Sequence, residues 1–396
     1  MKNKILVLAC LFALQFVNAQ ERVITTGVPF LLVAGDARAA GMADNGVATS
    51  ADVYSQQWNP AKYAFSTDQQ GFSVGYTPYL VQLVNDISLS QITYFNKFED
   101  RSAFAASVRY FSLGEIELRE NIDDPAVVVK PAEYAIDLSY ALKLSDYFSM
   151  SVAGRFIRSN LRIPTAGQSS EAANSFAFDI SGFHQSEEMA FNSFNGKLRW
   201  GFNLQNLGPK INYDKSQGDA GSNFLPANLK VGAGFDFILD DYNKVSVGLE
   251  LNKLMVPTPI EPKPIDADNS GGIDPDEQSA AEAQANIDYD QIGWTEGIFK
   301  SFGDAPDGFS EELREVTYSV GTEYSYQDSF ALRLGYFHEN PDKGARKFFS
   351  IGAGFKYNIV KVDVSYLFSA SKVQNPLENT LRFSLSFAFG DKYDEF

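Results

Sequence analysis

The sequence predicts an all-β fold: a 14-stranded antiparallel transmembrane β-barrel with an N-terminal plug and one long acidic extracellular loop. Three observations predict it. Apolar and polar residues alternate with period two along most of the chain, the connections between these runs sort into long and short, and the first nineteen residues read as an export signal. Composition narrows the function classes. A formal net charge of -17 excludes the clustered basic surface that phosphate backbones require. One cysteine, Cys10, and two widely separated histidines, His184 and His338, leave little for disulfide, zinc or triad chemistry.

The elements follow in chain order. Residues 1–19 form the signal peptide: Lys2 and Lys4 give a basic start, Ile5 to Val17 an apolar run, and Val17-Asn18-Ala19 small residues before the expected cleavage after Ala19. A lipoprotein alternative, with Val7-Leu8-Ala9 before Cys10, is weaker because the apolar run ahead of that cysteine is short. Cleavage removes Cys10 and two bases, leaving 31 bases against 50 acids. No later stretch has the roughly 18 to 20 apolar residues of a membrane helix. Residues 20–70 lack sustained alternation and are expected to form a hatch or plug. They carry the small-residue run Gly35-Asp36-Ala37-Arg38-Ala39-Ala40-Gly41-Met42, which permits close backbone packing, and the motif Trp58-Asn59-Pro60-Ala61, which favours a turn.

Residues 71–396 are the expected barrel. Tyr134, Ile136, Leu138, Tyr140, Leu142 and Leu144 share one face of a strand; so do Leu229, Val231, Ala233, Phe235 and Phe237, and Leu381, Phe383, Leu385, Phe387 and Phe389. Fourteen such runs are expected, at 71–80, 87–98, 102–120, 133–145, 148–161, 173–185, 196–211, 227–239, 243–254, 312–327, 329–339, 347–358, 360–371 and 379–389. The number is even, as bacterial barrels require. Short connections near 99–101, 146–147, 240–242 and 328 alternate with long ones near 121–132, 162–172, 212–226 and 255–311, and 186–195 is an intermediate case on the short side. Short turns belong to the periplasmic side and long loops to the outside, so both termini are expected in the periplasm. A soluble sandwich has no reason to sort its loops this way. Fourteen strands enclose more than their own side chains fill but less than an open porin, which leaves room for a plug or a ligand path. Arg109, Arg155, Arg199, Arg333 and Arg382 fall mostly on the inward parity and are expected to pair with Asp137, Asp179, Asp236 and Glu250.

The run GDARAAGMADNGVATSADVYSQQWNPAKYAF, spanning residues 35–65, resembles the N-terminal region of the FadL-like outer-membrane barrels, and most closely the PorV (LptO) branch found with the type IX secretion system of Bacteroidetes. The likeness extends over the signal, this run and the barrel. It implies no catalysis. It implies instead that the protein accepts cargo bearing a C-terminal signal domain from the large translocon channel and passes it to a surface attachment complex with a PorU-like sortase. The wider family implies the alternative, a transporter of hydrophobic small molecules across the outer membrane.

The loop 255–311 carries thirteen acids against Lys263 and Lys300. Within it, Asp266 to Glu277 matches a calcium-binding EF-hand loop position by position. Asp266, Asp268 and Ser270 stand at positions 1, 3 and 5, Gly271 at the sharp turn, Gly272 with its carbonyl at 7, Asp274 at 9 and Glu277 at 12. Pro257, Pro259, Pro262 and Pro264 disallow an entering helix. An exiting helix over Gln278 to Ile287 is expected, because Asp274, Pro275 and Glu277 form a capping box with proline at the first helical position. That box explains three of the residues without a metal; it does not explain Asp266, Asp268 or Gly271. No cofactor is required, and a structural calcium ion is the one expected here.

Gly71-Phe72-Ser73-Val74-Gly75 spells a nucleophile elbow but lies on an alternating strand, without the strand-to-helix turn that exposes such a serine. His184 and His338 are expected at opposite rims. The chain is expected to be no enzyme.

Overall fold

The computed structural model describes residues 23–119, 125–161, 172–213, 221–268, 271–371 and 375–392. The signal peptide 1–19, Ser270 and parts of the connections expected at 121–132, 162–172 and 212–226 lie outside the described residues. Fourteen strands form the barrel: β1 Asp68–Pro78, β2 Ile87–Glu99, β3 Ser102–Leu113, β4 Ala132–Ser145, β5 Phe148–Asn160, β6 Ala173–Gln185, β7 Asn195–Leu207, β8 Asn228–Ile238, β9 Asn243–Leu254, β10 Thr317–Tyr326, β11 Phe330–His338, β12 Lys347–Tyr357, β13 Val360–Ser369 and β14 Leu381–Lys392. Each pairs antiparallel with its sequence neighbours, and β14 pairs with β1 through Val74 and Leu385, which closes the barrel.

The alternation sorts side chains in the sense opposite to a soluble protein. Leu138, Val152 and Phe176 face outward and are exposed, whereas Asp137, Arg155 and Asp179 on adjoining positions face the lumen and are buried. The surrounding solvent must therefore be hydrocarbon, where a charge on the outer face costs up to about 2–4 kcal/mol at mid-depth. Aromatic rings gather at both rims, as in an interfacial belt: Tyr318 stacks on His338 at 4.8 Å at one, and His184 stacks on Trp200 at 5.4 Å at the other.

Three strand ends differ from expectation by four residues or more. β3 stops at Leu113 because Gly114 turns the chain with φ +79°, and Ile116–Leu118 starts a separate small hairpin with Val127–Val129. β7 ends at Leu207 after Asn206 takes φ +58° and shifts the register against β6. β10 starts at Thr317, since Phe309–Arg314 is helical.

Short helices punctuate the rest: α1 Ala37–Ala40, α2 Ser55–Trp58, α3 Pro275–Asp290, α4 Trp294–Lys300 and α5 Phe309–Arg314. α3 begins with the expected capping box, Asp274 accepting from the Glu277 N–H and Glu277 from the Asp274 N–H.

Residues 23–67 run lengthwise along the lumen. At the long-loop rim the Gly27 N–H donates to the Phe224 carbonyl, and Ile24 packs on Phe224, Val256 and Ile292. At the short-turn rim Lys97 donates to the Ser66 carbonyl and β1 begins. β14 also ends there, beside the start of β1. Residue 23 thus sits near the long-loop rim and Lys392 at the short-turn rim, because this segment crosses the barrel in the direction opposite to β1; the termini expected in the periplasm lie outside the described residues.

Glycines make room for it. Gly234, Gly248, Gly321 and Gly335 stand in register across β8 to β11 on inward positions. A Cβ at Gly335 would collide with the Met42 carbonyl carbon, and one at Gly321 would fall 2.7 Å from the Met42 Cβ. The backbone of residues 42–48 lies directly on this row.

Candidate functional site

The lumen is the most densely built part of the molecule. Arg38, flanked by alanines in α1, donates to Glu323 of β10 from Nε at 3.2 Å and Nη2 at 2.9 Å, and to Asp52 from Nη1 at 2.6 Å. Glu323 also accepts from Arg333 of β11, which meets Asp363 of β13 at 2.8 Å. On the far wall, Glu250 of β9 accepts the N–H groups of Gly46 and Val47 at 2.8 and 2.9 Å and pairs with Lys230.

The arginines meet the expected acids in part. Arg155 bridges Asp137 and Asp179, Arg109 lies 3.7 Å from Asp137, and Arg199 pairs with Asp236. Arg109 also donates to the Leu31 carbonyl and Arg199 to that of Ala48, so both reach the N-terminal segment. Arg333 and Arg382 pair instead with Glu323 and Asp44.

Trp58, Asn59, Pro60 and Ala61 form one connected motif. The Trp58 indole N–H donates to Asp36 at 2.6 Å, its carbonyl accepts from Asn203 of β7, and Lys230 lies 4.4 Å above its ring. Asn59 accepts from the Ala61 N–H and donates to the carbonyls of Val47 and Gly182, both at 3.0 Å. Pro60 opens a 3-10 turn, and the Ala61 carbonyl accepts from Ser149 of β5. Burial, with Asp52 nearby, pushes the Asp36 carboxyl up to about 6, and burial lowers the Lys62 ammonium to about 8. Composition gave no hint of Glu323 as the partner of Arg38. Its inward parity on β10, together with a charge isolated in a run of small residues, was the available signal.

The loop residues Asp266, Asp268 and Glu277 bring one carboxylate oxygen each within 4.8 Å of one another. Gly271 adopts φ +89°, as a sharp turn needs, and its N–H donates to Asp266 at 2.9 Å. Asp274 is occupied in capping α3, and Gly272 follows the turn on the exposed surface. These donors fit a calcium ion in type and spacing. Ser73, by contrast, is buried on β1 opposite Ser386, while His184 and His338 sit at opposite ends of β6 and β11.

Among solved structures, the toluene transporter TodX of Pseudomonas putida is similar at 11% identity and a TM-score of 0.50, covering 89% of this chain and 98% of that one. A FadL homologue of Pseudomonas aeruginosa is similar at 13% identity, over 94% and 100% of the two chains, with a TM-score of 0.44. Comparison with curated protein sequences finds no match. The closed 14-strand wall and the likeness to TodX define the class as an outer-membrane β-barrel of FadL-like fold. A family model described as type IX secretion system protein PorV matches residues 16–261, more than half of the sequence. The chain belongs to the PorV family and is an outer-membrane component of type IX secretion.

Proposed function

We propose that this barrel accepts secreted proteins bearing a C-terminal signal domain from the large translocon channel and delivers them to a surface attachment complex with a PorU-like sortase, without catalysis of its own. The observation that carries the reading is the family match over residues 16–261, because family, not barrel geometry, separates secretion from transport. The bracing of the lumen supports it. Inward groups of β3, β5 to β9 and β10 are engaged by residues 31–61, which leaves rims and loops as the working surfaces. In this reading residues 20–70 act as the plug, the long-loop rim faces the medium, outer-membrane lipid surrounds the wall, and calcium held by Asp266, Asp268, Ser270, Gly272, Asp274 and Glu277 stiffens the outer loop.

One observation bears on transport of hydrophobic small molecules: a cavity of about 490 Å³ near the long-loop rim, lined by Val23, Ile24, Leu254 and Phe337 but also by charged side chains such as Lys230, Glu250, Lys343 and Arg346. The deciding experiment compares the surface, medium and periplasm of a strain lacking this gene. Loss of signal-bearing proteins from surface and medium while the translocon persists, restored by the intact gene, supports delivery. Unchanged export with reduced uptake of a hydrophobic compound overturns it in favour of transport.

A further inference from the structure

Two vestibules open into the lumen from opposite rims. The one at the short turns, about 240 Å³, is lined by Arg38, Tyr54, Asp328, Lys361 and Ser386 among others. The one at the long loops, the cavity of about 490 Å³, has Asp44 in its lining. Between them run the inward positions of β13 and β14, where Lys361, Asp363 and Ser365 stand in register with Ser386, Ser384 and Arg382. At about 3.3 Å per residue these rungs span roughly 13 Å. The first rung lines the inner vestibule, and Arg382 on the last donates to Asp44 at 3.3 Å. This stripe therefore reaches from one vestibule to the other.

Its polar groups are buried and incompletely met. Asp363, Ser365 and Arg382 are each at most 3% exposed. Asp363 lies 2.8 Å from Arg333, yet neither of its oxygens accepts a hydrogen bond. The Ser365 hydroxyl and the Nε and Nη2 of Arg382 have no hydrogen-bond partner among the described residues. The covering element explains why. α1 packs against β12 to β14, its alanine side chains carry neither donor nor acceptor, and it reaches the stripe through the Ala37 N–H, at Ser384. Native proteins pair such groups, with ordered water where protein atoms do not reach. Charge and chemistry select the occupant. Arg333, Lys361 and Arg382 are met by Glu323, Asp363 and Asp44, and Arg38, which shares Glu323, is met by Asp52, so no ion is called for. Unmet donors on Arg382 and unmet acceptors on Asp363 lie one rung apart, and water serves both.

We propose that waters occupy this stripe and join the two vestibules, so that the plugged barrel passes water along β13 and β14 and nothing larger. Close packing sets the size limit: a Cβ added at Gly352 of β12 would fall 3.1 Å from the Cα of Gly41, at the end of α1. The inference concerns the lumen and does not depend on what the rims and loops bind.

The test uses the full-length protein reconstituted in liposomes, whose shrinkage in sucrose is followed by stopped-flow light scattering. Waters joined end to end are expected to raise water permeability about fivefold or more above that of protein-free liposomes, with urea entry left at the protein-free rate. Ser365→Leu and Ser386→Leu fill the stripe at different rungs, and each is expected to return water permeability to about the protein-free value. The gel-mobility shift shows which variants are folded, and one folded variant suffices. Wild-type permeability equal to that of protein-free liposomes overturns the passage without reference to any variant. Wild-type permeability kept by a folded variant overturns the stripe as its route. Urea entering as fast as water overturns the size limit and makes the lumen an open pore.

Discussion

Arg38 and Glu323 form a two-point ion pair inside the lumen although 285 residues separate them in sequence. The contact joins the N-terminal segment to the wall, and Glu323 serves two guanidiniums at once, since Arg333 also donates to it. Removing the carboxylate takes away the acid shared by two buried cations, leaving Arg38 with Asp52 and Arg333 with Asp363. Glu323→Ala is expected to lower the unfolding free energy by about 3–5 kcal/mol, the cost of breaking a buried pair from one side. Adding Arg38→Ala should cost much less than it does alone, because the partners are coupled. Urea titration in detergent micelles, read by the gel-mobility shift of folded barrels, measures both; a loss under about 1 kcal/mol would contradict the assignment.

Asn59 is fully buried and uses its whole amide, accepting from Ala61 and donating to Val47 and Gly182. Alanine strands two carbonyls and one N–H. A cost of about 2–4 kcal/mol is expected from the roughly 1–3 kcal/mol of each unsatisfied buried group. Asn59→Asp should be no better, because a carboxylate would face the Val47 and Gly182 carbonyls that the amide now satisfies. A wild-type midpoint for the aspartate variant would contradict the two donations to Val47 and Gly182.

The barrel was legible in sequence because a membrane inverts the usual burial rule: Leu138 and Asp137 alternate so sharply that the period survives without any partner strand. Ladder position, by contrast, was not. The row Gly234, Gly248, Gly321 and Gly335 becomes a row only after four strands are set in register, and no single run announces it. The lengthwise path of residues 23–67 was hidden for a related reason. Its direction is fixed by tertiary contacts such as Gly27 to Phe224, not by local propensity. At 312–314 a period-two reading failed because these residues close a helix, on which Glu311 and Glu312 are buried against Lys343 and Lys253.

Asp36 gives stability a predictable pH dependence. Burial, with Asp52 nearby, raises its folded pKa from 3.8 to about 6, so the folded state binds the proton more tightly than the unfolded chain. Stability therefore falls as pH rises from about 4 to about 6 and levels off above that window. The span corresponds to about 3 kcal/mol. Neighbouring groups act elsewhere: Asp52 is lowered below 3.8, and Lys62, lowered to about 8, favours folding only as pH climbs from there toward 10.5. Unfolding midpoints measured between pH 4 and 7 should fall in the wild type and flatten in Asp36→Ala. An equal slope in both would remove Asp36 as the source.

Calcium should be felt in the outer loop and nowhere else. Asp266, Asp268 and Glu277 lie within 4.8 Å of one another, and the Glu277 carboxylate also accepts from the backbone of Ala267 and Asp274. Three carboxylates at this spacing repel one another unless a cation lies between them. Binding would fix Glu277 and with it the first turn of α3, whose capping box uses the same carboxylate. Micromolar to millimolar calcium is accordingly expected to protect residues 266–290 from protease, and a chelator to restore cleavage. Asp268→Asn should weaken that protection about tenfold or more in calcium concentration while leaving the barrel's gel shift unchanged, since Asp268 is exposed and takes no part in the cap. Equal cleavage rates with calcium and with chelator would leave the capping box as the whole reason for Glu277.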